Sequence, residues 1–144
     1  MLTHGWIDGA YVDLTIMDPG QGWIVPGFNA TWFTANSGTW TVTNVQSETF
    51  AWTQTGRTMT LTFRINGSTL SATPSLVFMK IPNGKVASRD VLVSCFYSDS
   101  GVSYGTALCY VGVGGTQINL QKATLANWTV GTLTLAGQIT FEVA

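Results

Sequence analysis

The feature that most restricts the fold is an alternation with period two. From Met59 to Ile65 an apolar side chain stands at every second position, with threonine at 58, 60 and 62 between them. Residues 132–143, TLTLAGQITFEV, repeat the device: Leu133, Leu135, Ile139, Phe141 and Val143 fall on one face, and Thr132, Thr134, Gln138, Thr140 and Glu142 on the other. Successive side chains of an extended chain point to opposite sides, so such a run describes a strand with one buried and one wet face, and no helix can present it. Threonine suits the wet face because it is β-branched and satisfies water or a neighbouring subunit without a charge that would resist being covered.

Weaker strand patterns lie at 39–45 (TWTVTNV), 48–54 (ETFAWTQ), 75–81 (SLVFMKI), 90–98 (DVLVSCFYS) and 104–113 (YGTALCYVGV), the last two flanking DSGV as a hairpin. Pro82-Asn83-Gly84 is turn chemistry, since proline presets φ and the next two residues tolerate positive φ. About eight short strands punctuated by turn residues, without a helical period, predict an all-β antiparallel sandwich or barrel. The first 27 residues alternate poorly and carry two prolines. They are expected to form an N-terminal arm or adaptor (1–27) ahead of a sandwich domain (28–144).

Composition then narrows the function. Charged residues make up 9% of the 144, against roughly 25% in an ordinary soluble domain, while threonine occurs 22 times. A net charge of −1 with scattered Lys and Arg leaves no footprint for nucleic acid or anionic lipid. No apolar run approaches the roughly 20 residues of a membrane span, and the start MLTHGWIDGAY lacks a leader's basic and apolar regions, so synthesis in a cytoplasm is expected.

Catalytic groupings are sparse. His4 is the only histidine and falls in the arm. The only glutamates, Glu48 and Glu142, with Asp90 and Asp99 on loops, show no spacing that would oppose two carboxylates across a cleft. Asp8, Asp13 and Asp18 lack the dense pattern of a calcium loop, and VGVGG (111–115) has neither the lysine nor the helix of a phosphate loop. No enzyme, cofactor or metal is therefore expected. Cys95 and Cys109 are symmetric about Val102. A turn centred there would set them opposite each other at disulfide distance, a centre one residue away would not, and reduced, valine-like cysteines are the expectation. The six tryptophans suit either a core or sugar stacking. Tyr97, Asp99 and Tyr104 around the hairpin turn, and Trp128 in LANWTVG, are placed to be exposed and are the expected glycan-contact residues.

The succession GTWTV (38–42) and ETFAWTQTGRTMTLTFRINGSTLSATPSLVFMKIPNGKVAS (48–88) resembles modules of tailed-bacteriophage virion surface proteins. In these an aromatic residue, a G-[KR]-x-M-x-[LV] strand and a Ser/Thr-rich link precede an apolar strand ending in I-P-x-G. The ending GQITFEV (137–143) is similar to their closing GQI-x-FEV. The resemblance spans about 28–143 and contains no catalytic residue. It implies a jelly-roll-like β-sandwich, often a homotrimer, displayed on the virion as a head decoration or tail-fibre tip. Partners would be capsid or tail proteins, met through the arm, and, in the alternative reading of a receptor-binding tip, a host-surface glycan.

Overall fold

The computed structural model describes residues 22–144 and, before them, only the backbone of a hairpin, His4–Ile7 (β1) paired antiparallel with Ala10–Asp13 (β2). The arm expected at 1–27 therefore lies mostly outside the described residues. At its inner end, Ile24 exchanges both backbone hydrogen bonds with Trp52, so the chain is already held by the sandwich at that point.

Nine strands follow: Phe33–Ala35 (β3), Trp40–Thr41 (β4), Ser47–Thr55 (β5), Thr58–Leu70 (β6), Val77–Lys80 (β7), Val91–Asp99 (β8), Ser103–Val111 (β9), Gln117–Lys122 (β10) and Gly131–Glu142 (β11). They form one antiparallel sheet in the order β3-β7-β10-β9-β8-β11-β6-β4, with β5 beside β4 on the same side of β6. The all-β antiparallel class is as the alternation predicts, realised as one sheet nearly closed on itself into a barrel-like sandwich. Only the pattern at 39–45 shrinks markedly: strand pairing stops at Thr41, and Gln46 folds back so that its Oε1 accepts from the Thr43 amide.

The two long alternating segments are the spine. β6 pairs with β11 along almost its whole length, and Met59, Leu61, Phe63, Ile65, Leu133, Leu135, Ile139 and Phe141 are buried between the layers. A bulge interrupts the register between Leu133 and Leu135, where Asn66 and Gly67 stand opposite Thr134. Gly67 adopts φ +70, and the Thr134 hydroxyl takes its amide and donates to Asn66 Oδ1. A bulge bends its strand. Here it lets β6 pair with β5 before the bend and with β4 after it.

Closure happens where the edge strands β3 and β4 meet through residues 36–39. Thr39 and Ser71 exchange hydrogen bonds, Asn36 caps the 75–76 turn, and the Phe33 ring meets Trp40 edge-on at 5.4 Å. Beneath, the Trp40 indole donates to Ser68 Oγ at 2.7 Å, and Ser68 donates to the Leu133 carbonyl at 2.7 Å, wholly out of water. Gly137 allows β11 to approach β8, since a Cβ there would come within 2.5 Å of that of Cys95.

Replacing Ser68 with alanine strands a buried donor and a buried acceptor, so Ser68→Ala should lower unfolding stability by about 1–3 kcal/mol. Denaturant unfolding checks this, and a change within about 0.5 kcal/mol would show that the bridge contributes little.

Candidate functional site

The β8–β9 hairpin turns through Ser100 and Gly101, both at positive φ, with Asp99 paired to Ser103. Its centre is Gly101. Cys95 consequently faces Ala107 and Cys109 faces Val93, so the cysteines are diagonal neighbours on the inner face, free and buried as expected. The contact with Cys95, followed by burial, pushes the Cys109 thiol far up, which keeps it protonated and inert.

Three of the four residues expected in an exposed glycan loop prove to be buried, and the expectation of exposure is corrected for Tyr97, Asp99 and Trp128. The reason is an unexpected fourth member, Lys122. Along β10 the inward positions are Ile118, Leu120 and Lys122, so the strand's own alternation carries a lysine into the core. Its Nζ lies 2.5 Å from Asp99 Oδ2, and 5.4 and 5.5 Å from the centroids of the Tyr97 and Trp128 rings, which meet each other edge-on. The Thr129 amide donates to the same carboxylate, and the Trp128 amide donates to Pro74. An ammonium held by a carboxylate and two ring faces has its charge answered on several sides. The cluster fastens the hairpin tip, the end of β10 and the 123–130 link into one unit. Only Tyr104 is exposed, at 64%, its hydroxyl donating to the Gly101 carbonyl.

Glu142 and Asp90 are engaged singly. Glu142 pairs with Arg89 at 2.7 Å, and Asp90 accepts from the Val113 amide. His4, Asp8, Asp13 and Asp18 lie outside the residues whose side chains are described. Among the described residues no three of His, Cys, Asp and Glu are grouped for a metal.

A groove of about 310 Å³ opens elsewhere, between the 25–33 segment and β5. The 3-10 turn Ala30–Trp32, capped by the Asn29 side chain, sets Trp32 beside Phe50, while Phe28 stacks on Phe33. Glu48 stands at the rim, taking Arg64 Nε at 2.6 Å on one oxygen and Asn66 Nδ2 at 2.7 Å on the other. The Asn66 bond first, then the Arg64 bond and charge, hold its carboxyl below the ordinary glutamate range. Asn44 and the Trp32 indole N–H, also lining the groove, have no hydrogen-bond partner among the described residues. No spacing announces this site, because its parts come from two separate segments and a loop.

A third feature is the outer face of β8, β9 and β10. Across it run Phe78, Asn119, Tyr110 and Leu92 in one cross-strand row, then Gln121, Leu108 and Ser94, then Thr106 and Phe96. Leu92 is 62% exposed and Phe96 46%, and these rows carry no charged side chain. Comparison with protein-family models, curated proteins and solved structures finds no match to the chain.

Removing one member of the buried ion pair leaves an uncompensated charge, so Lys122→Met or Asp99→Leu should each cost about 3–5 kcal/mol, whereas the double variant Lys122→Met/Asp99→Leu recovers most of the loss. Denaturant melts of the four proteins read this directly. Additive losses would mean that the two residues act separately.

Proposed function

We propose that this chain is a non-enzymatic surface module of a bacteriophage virion, a β-sandwich that associates with copies of itself, as a homotrimer, and is held on capsid or tail by its N-terminal segment. The observation that carries the reading is the outer face of β8–β10. Leu92, Tyr110, Phe78, Phe96 and Leu108 stand on it among the neutral polar side chains of Asn119, Gln121, Ser94 and Thr106, so the face is uncharged over a width of four strands. An uncharged face that leaves side chains as large as Leu92 and Phe96 exposed suits a place that a partner covers. Identical copies suit it, because a face without charges offers no selectivity for an oppositely charged partner, and copies packed about a threefold axis bring such faces together without like-charge repulsion. The likeness of the strand, turn and closing-strand succession to phage virion modules supports the location.

The threonine faces agree with this use. Thr60 and Thr140 bond each other at 2.9 Å across β6 and β11, and Thr58 and Thr140 stay exposed. The hydroxyls are thus partly satisfied inside the sheet and cheap to cover. The receptor-binding alternative loses the hairpin loop as its contact surface, since Tyr97, Asp99 and Trp128 are internal.

Light scattering at micromolar concentration should give the mass of a trimer. Leu92→Glu/Phe96→Glu should reduce it to a folded monomer, as both side chains are largely exposed on the single subunit. A wild-type monomer would remove the assembly claim. Deleting residues 1–21, which spares the Ile24–Trp52 bridge, should abolish retention on the particle and leave the oligomer intact.

A further inference from the structure

We propose that the groove between the 25–33 segment and β5 is a binding site for one ring of a neutral saccharide. It is independent of the outer face of β8–β10, so its failure and that of the assembly reading are separately visible.

Three observations converge on a sugar. The first is volume and lining: about 310 Å³, at the small end of ligand pockets, with Phe28, Trp32 and Phe50 supplying apolar ring surface for the C–H faces of a pyranose. The second is Glu48. Each of its oxygens already accepts one bond, from Arg64 or Asn66, so the carboxylate is fixed in place and ionised while keeping a lone pair on each oxygen. A fixed carboxylate with two free acceptor positions matches two adjacent hydroxyls of a ring. The third is the set of uncommitted polar side chains: Trp32 and Asn44 line the same groove, and neither the indole N–H nor the Asn44 amide has a partner among the described residues. These are the donors that ring and hydroxyl oxygens accept from.

Charge decides the class. The cation at the rim, Arg64, is already neutralised by Glu48, and no other Lys or Arg lines the groove among the described residues. An anionic sugar would meet the Glu48 carboxylate with no answering cation, so uronic and sialic acids are disfavoured and neutral hexoses favoured.

The test is a two-dimensional NMR titration of the full-length chain with methyl glycosides of glucose, galactose, mannose, rhamnose and N-acetylglucosamine, beside glucuronic and N-acetylneuraminic acids. At least one neutral glycoside should shift the Trp32 indole resonance saturably, and the acids should not. Trp32→Ala and Glu48→Gln, each verified as folded from its spectrum, should weaken binding by about tenfold or more, the loss of one charge-assisted hydrogen bond or its aromatic equivalent, and Tyr104→Ala should leave it unchanged. No saturable shift with any neutral glycoside, binding of the acids alone, or undiminished binding by the two groove variants would each overturn the proposal. So would nuclear Overhauser contacts from Trp32 to residues 1–21, which would make the chain's own N-terminal segment the occupant.

Discussion

The Lys122–Asp99 pair is the interaction on which the surrounding architecture depends. A lysine and an aspartate removed from water are costly, and the arrangement is tolerable only because each charge meets its answer inside: the carboxylate has the ammonium and the Thr129 amide, and the ammonium has the carboxylate and two aromatic faces. Those partners come from β8, β10 and the 123–130 link. None of them can move without exposing a half-satisfied charge to an apolar core. The hairpin tip and the link, which would otherwise be loosely held loops, become part of the rigid body.

That use of the aromatic and acidic residues determines where recognition can occur. The end of the sandwich holding Tyr97, Asp99 and Trp128 has no such groups left to offer a ligand except Tyr104. Among the described residues, two regions keep uncommitted chemistry. One is the uncharged outer face of β8–β10. The other is the groove at β5, where Glu48 is oriented by its neighbours and Trp32 and Asn44 retain polar atoms without a partner among the described residues.

The strands with strict alternation are legible in the sequence because their inner faces are apolar, as in β11 and in β6 from Met59 to Ile65. The 39–45 segment misleads for a local reason: TWTVTNV alternates well, yet Gln46 reaches back to the Thr43 amide and turns the chain after Thr41. The hairpin is legible, its centre less so, because Ser100 adopts positive φ beside Gly101 and shifts the register by one residue. The glycan loop fails on Lys122. Polar and aromatic residues near a turn read as exposed, and only the inward register of Ile118-x-Leu120-x-Lys122 hints that a buried cation draws them in. Nothing in the sequence brings Trp32 to Glu48, since their meeting depends on how the 25–33 segment lies along β5.

The most direct test of the internal fastening is native-state amide hydrogen exchange at Trp128 and Thr129, whose amides donate to Pro74 and Asp99. If the cluster binds the link into the core, both amides exchange only through global unfolding, with the same free energy as Leu61 and Ile139 at the centre of the spine. Exchange by a low-energy local opening, at the free energy of their exposed neighbour Ala126, would show that the link is an ordinary loop and contradict the account.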